Sequence, residues 1–96
     1  MTEASHDNAA VLAVLAKDFT DHRFPRLLDL KEKVDNGNVL DDQEFEYLAK
    51  VLEEAARAMP LAVNNPEWHR LSAQVAKFFH TITEKALENE ENLRSR

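Results

Sequence analysis

Cysteine is absent from the 96-residue chain, which excludes disulfides, thiolate-held zinc and thiol nucleophiles together. Glycine occurs once and proline three times. An all-β chain needs turn residues roughly every ten positions, and a phosphate-cradling loop needs several glycines; neither is available. Long hydrophobic runs are missing as well. The longest apolar block, "AAVLAVLA" from Ala9 to Ala16, falls far short of the roughly 20 residues of a membrane helix. The residues before it, "MTEASHDN", include Glu3 and Asp7 but no Lys or Arg, the wrong charge for an export signal. The expectation is a cytoplasmic protein with no membrane partner.

Positive charge is the minority: 12 basic against 18 acidic side chains, a net charge of −6. The basic residues are not gathered either. Lys17, Arg23, Arg26, Lys31 and Lys33 alternate with Asp18, Asp21, Asp29 and Glu32, while Val34 to Met59 is strongly acidic. A nucleic-acid duplex would be repelled by such a surface, so no nucleic acid is expected as a partner.

What the chain does have is helix-forming composition. It is 44% hydrophobic and 31% charged, rich in Ala, Leu, Glu and Lys, which favour helices. Residues 1–96 read as one helical domain, with no repeat and no linker. The tail 1–6 and the end 88–96 are expected to fray. The predicted fold is all-α: a small antiparallel four-helix bundle with a short second helix and a long C-terminal one.

The first helix is predicted from about Asp7 to Thr20, with Asp7 or Ser5 as its cap. Val11, Leu12, Val14, Leu15 and Phe19 cover most of its circumference, so it must be enclosed by other helices or by a second chain. The second begins near Pro25, whose missing amide costs nothing in a first turn. Leu27, Leu30 and Val34 form its stripe, flanked by Phe24 and Leu28, and Gly37 closes it by taking a left-handed conformation. Asp41 and Glu44 have the spacing of a capping box at the start of the third. Phe45, Leu48, Leu52, Ala55 and Met59 recur along that helix at helical steps, and Pro60 ends it. "PLAVNN" reads as an extended connector, with Leu61 and Val63 against the bundle. Asn65 and Pro66 then open the last helix, whose stripe is Trp68, Leu71, Val75, Phe78, Phe79 and Ile82. At about 42 Å to Leu93, against about 27 Å for the third, its end should overhang.

Chemistry is thinly represented. "VDNGNVLDDQEFEYL" mixes Asp, Asn, Gly and Glu as a calcium loop does, yet no register fits. With Gly37 at the sixth position, Val34 falls on the third, Leu40 on the ninth and neutral Gln43 on the twelfth. The stretch stops one helix and starts another. Of the four histidines, His80 and Glu84 share an i, i+4 spacing, and His22 could join them in a metal site; the alternative is that His80 lies at the edge of the core and hydrogen-bonds a neighbour while the others are solvated. Ser5, Ser72 and Ser95 lack a nucleophile motif, and paired acids such as Asp41 and Asp42 are accounted for by capping. No enzyme and no cofactor are expected.

Trp68, Phe78 and Phe79, with Phe45 and Tyr47, could line a ligand slot, although such residues at helical spacing usually form core. Adjacent Phe78 and Phe79 point about 100° apart and so serve two surfaces. Together with the apolar first helix, this is more greasy surface than one small bundle hides, and twofold self-association is the common way to cover it. The expectation is a small bacterial-type interaction protein, homodimeric and able to bind another protein. Its contact residues would be Leu12, Leu15, Phe19, Phe78 and Phe79. A metal or small-ligand sensor through His80, Glu84 and His22 is the alternative.

Overall fold

The computed structural model describes the backbone of residues 2–95 and side chains from Ala9 to Ser95. The fold is all-α, with no strand among the described residues. α1 spans Thr2–Asp18, α2 Phe24–Asp35, α3 Asp42–Arg57 and α4 Pro66–Arg94. Of the ends expected to fray, Met1 and Arg96 lie outside the described residues.

The break expected between the first two helices is not there. Phe19–Arg23 forms a π-helical turn, and Asp18, Arg23 and Phe24 all keep right-handed helical dihedrals. Thr2 to Asp35 is therefore one rod, about 51 Å long at 1.5 Å per residue. The predicted four helices thus assemble as three. Pro25 is the physical reason. Inside a regular α-helix its ring would strike the carbonyl four residues back, and the wider turn before it makes room. The Phe24 amide bonds to the Phe19 carbonyl, five residues earlier, and the Thr20 hydroxyl occupies the Ala16 carbonyl at 2.9 Å. Proline that reads as a helix start is here the residue after a π-bulge.

α1 begins at Thr2, ahead of the Ser5 or Asp7 expected to cap it, whereas the end of α2 and the starts of α3 and α4 follow the local signals. Gly37 has φ +90°, and the amides of Gly37 and Asn38 bond back to the carbonyls of Val34 and Lys33 at 3.0 and 3.2 Å, a Schellman closure of α2. Asp41 accepts from the Glu44 amide at 2.8 Å, and Glu44 returns a bond to the Asp41 amide at 2.9 Å, completing the capping box. The Asn65 side chain accepts from the Trp68 amide at 2.9 Å, with Pro66 in the first turn of α4. The "PLAVNN" connector is not extended. Met59–Ala62 forms a 3-10 turn in which Ala62 is buried while Leu61 and Val63 face outward.

Residue pairs give the chain directions. Arg23 meets Glu54, and Lys33 meets Glu44, so α3 runs back along the rod. Phe19 touches Trp68, Phe24 faces Phe78, and Val34 is bonded to Asn89, so α4 runs alongside the rod in the same direction. The result is slender, 60 × 20 × 20 Å. Its core is Phe19, Leu27, Leu30, Val34, Leu48, Val51, Trp68, Val75 and Ile82, all essentially sealed from solvent. The Phe19 ring stands edge-on to Trp68, centroids 5.6 Å apart, and the Trp68 indole N–H donates to the Ala55 carbonyl at 3.3 Å, so the largest side chain is both packed and satisfied.

The rod also changes what α4 overhangs. Expected to outrun α3, α4 instead lies along a partner longer than itself. Its buried stripe continues through Ala86 to Asn89. The Asn89 amide donates to the carbonyls of Val34 and Asn38, both at 2.8 Å.

Candidate interaction surfaces

The ligating side chains do not converge. His22 Nδ1 lies 3.2 Å from Asp18 Oδ1, and His80 Nε2 lies 3.3 Å from Glu84 Oε2, each pair exposed along its own helix. No group of three or more His, Asp or Glu side chains comes together among the described residues. The ring Nε2 of His69 lies 2.7 Å from the Ala62 carbonyl. A carbonyl can only accept, so Nε2 carries the proton there, and the bond ties the 3-10 turn to α4. The His6 side chain lies outside the described residues.

Glu44 is the buried carboxylate of the described core. Burial disfavours its charge, but Lys33 at 2.8 and 3.0 Å and the Asp41 amide more than offset this, holding its pKa below the ordinary value. It joins α2 to α3 at one end of the body. Further along, Arg23 bonds Glu54 at 3.1 Å. The guanidiniums of Arg23 and Arg26 lie 5.7 and 5.8 Å from the Tyr47 ring centre, within cation–π range. Each of these groups has a packing role that accounts for its placement.

The contact residues expected from sequence divide. Leu12 and Phe19 turn into the core, at 3% and 1% exposure. Leu15, Phe78 and Phe79 are half-buried at its margin. A helix that is apolar all round does not announce which side faces inward. Once the rod is continuous, Leu12 and Phe19 share the side toward α4, and Val11 and Val14 are left outside.

Two apolar surfaces result. The first is at the end where α1 meets the 3-10 turn. Ala9 and Leu12 line a hollow opposite the turn, with Asn64 and Asn65 as the polar part of its lining. Leu61 and Val63 line it and are outward, Val63 at 70% exposure; Val14, 69% exposed, and Val11 are outward on α1 without lining it, and Met59 is outward on the turn. This hollow of about 350 Å³ separates Ala9 from Pro60, Leu61 and Val63, and a second of about 280 Å³ lies between Leu15 and Leu61. Ala9 to Ala16 carries no charge. The second surface is a groove of about 490 Å³ between α2 and α4, floored by Phe24, Leu28 and Phe78. The Phe24 and Phe78 rings lie 6.0 Å apart.

No family model matches the chain, and neither the curated proteins nor the solved structures contain a match. No described helix is long and apolar enough to cross a membrane.

Sequence reasoning passed over several of these residues. Asn89 falls seven residues after Ile82 and three after Ala86, in register with the buried stripe. Its polarity hid it among the acids of "ENEENLRSR". An extended connector would turn Leu61 and Val63 inward; the 3-10 turn brings in Ala62 instead. No sequence signal distinguishes them from Ala62, which fills the close contact.

Proposed function

We propose that the protein is a non-enzymatic interaction module that self-associates through the end formed by α1 and the 3-10 turn. The observation that carries this is the exposure of Val14 and Val63, at 69% and 70%, beside a charge-free α1 segment. Singly exposed valines are ordinary. Here, however, Leu61 and Val63 line a hollow against α1, and Val11 and Val14 are outward on the same stretch of that helix; apolar surface gathered in one region of a small protein marks a contact site. Ala9, Ala10 and Ala13 are small enough for a second helix to approach to the short end of the usual 8–10 Å axial range. Each valine or leucine fully covered would add about 1.5–3 kcal/mol before the cost of association. A twofold pairing of the same end supplies both halves at once, and leaves the long side of the molecule open to a different protein.

Sedimentation velocity tests this. The wild-type chain is expected to be a dimer at micromolar concentration. Val14→Glu, which places a charge on a side chain outside the core, is expected to be a monomer with an unchanged melting temperature. A wild-type monomer under these conditions would refute the reading. Thermal melts with added zinc, nickel or iron address the metal-sensor alternative through His80, Glu84 and His22. No shift is expected, because only His80 and Glu84 share a site and both are solvated.

A further inference from the structure

We propose that the groove between α2 and α4 is a docking site for an acidic amphipathic helix of another protein. This rests on the reading of the chain as an interaction module, but on a different surface from the self-association end. The floor is apolar: Phe24 and Leu28 from one wall, Phe78 from the other, with Leu28 54% exposed. Its charged walls are of one sign. Lys31 and Lys77 are the only charged side chains lining it, in a chain whose net charge is −6. Lys31 also reaches Asp35 at 2.7 Å, whereas Lys77 has no ion pair among the described residues. An apolar strip between two ammonium groups matches a ligand with apolar residues on one face and carboxylates on its flanks.

The dimensions fit a helix. The lined stretch runs from Phe24 to Lys31 on α2 and from Gln74 to Thr81 on α4, about 10 Å on each side at 1.5 Å per residue. That is two turns, enough for anchors at i, i+4 and i+7. The groove opens to solvent rather than forming an enclosed cavity.

A second copy of this chain does not supply that ligand. α1 is apolar but uncharged from Ala9 to Ala16, and α3 carries acids without an exposed large apolar side chain. Leu87 and Leu93 are exposed on the acidic end of α4, but six residues at about 100° each leave them about 120° apart round the helix, not in one stripe. The occupant is therefore a different polypeptide.

The probe is a stapled, fluorescein-labelled amphipathic peptide with Leu at i, i+4 and i+7 and Glu at the flanking positions; the staple is needed because short helices are marginal in water. Binding is read by fluorescence anisotropy and mapped by amide chemical shifts. The peptide is expected to bind the wild-type chain, to weaken as salt rises, and to shift amides around Leu28 and Phe78. Lys77→Glu should weaken it roughly tenfold, Leu28→Ser should weaken it similarly, and Lys50→Glu, on α3, should leave it unchanged. The monomeric Val14→Glu chain should bind as the wild type does, so failure of the self-association reading would be seen separately. The proposal is overturned by absence of binding, by equal binding of a peptide with Lys in place of Glu, or by shifts confined to α1. Decanoate binding in the groove without peptide binding would overturn it in favour of a small anionic ligand. Protection of the groove amides by self-association alone would overturn it in favour of a second copy.

Discussion

The side-chain amide of Asn89 donates to the backbone carbonyl of Val34, 2.8 Å away and 55 residues earlier in the chain. The same amide reaches the Asn38 carbonyl. The Val34 carbonyl already accepts from the Gly37 amide at 3.0 Å, so Asn89 adds a second bond to a helix end that its own turn has closed. The bond therefore ties α4 to the end of α2.

Asn89→Ala should cost about 1–2 kcal/mol, since it removes two hydrogen bonds, while the Val34 carbonyl keeps the Gly37 amide and Asn38 is exposed to water. For a chain of this size that is a fall in melting temperature of about 4–8 °C per kcal/mol. Circular dichroism melts would measure it. A melting temperature within error of wild type would show that the contact contributes nothing net.

Acid should weaken the junction of α2 and α3. The Glu44 pKa is held below its ordinary value of 4.5, so the stability it contributes is complete above that value. It is lost as pH falls through the lower folded-state value. Glu44→Gln removes the charge that Lys33 satisfies and should cost about 1 kcal/mol at neutral pH. In urea titrations across the acid range, the two proteins should differ near neutrality and converge in acid. Parallel curves throughout would mean that the carboxylate is not the titrating group.

Phe19 and Val14 offer a contrast between neighbours on one helix. Phe19→Ala should cost about 3–5 kcal/mol by opening a cavity beside Trp68, a large part of the 5–15 kcal/mol that holds a typical domain together. Its signature would be a change in tryptophan fluorescence. Val14→Ala should leave stability within about 0.5 kcal/mol, as surface changes usually do, while weakening self-association in sedimentation. The reverse pattern would mean that α1 is rotated relative to this structure.

Features decided within a few residues were legible in the sequence. Asp41 with Glu44, Gly37, and Asn65 with Pro66 each satisfy a helix end through neighbours, and no distant partner alters that. The expectations that failed depended on distant partners. Pro25 sends the same signal whether it opens a helix or follows a wide turn, and only the packing of Phe19 and Phe24 against α4 distinguishes the two. Leu12 and Val14 are equally apolar, and which one is buried depends on where α4 begins. The groove is legible only in part: periodicity places Phe24 and Leu28 beside the buried stripe and points Phe78 and Phe79 to two surfaces, but their meeting requires α4 to run alongside the rod.

Because the rod and α4 run the same way, the first described turn of α1 and the last turn of α4 sit at opposite poles of a 60 Å molecule. A dye or affinity tag attached after Arg94 would be remote from Val14, whereas Thr2 is only about 18 Å from it along α1 at 1.5 Å per residue. Energy transfer between a donor at one pole and an acceptor at the other would report how two molecules are arranged head to head.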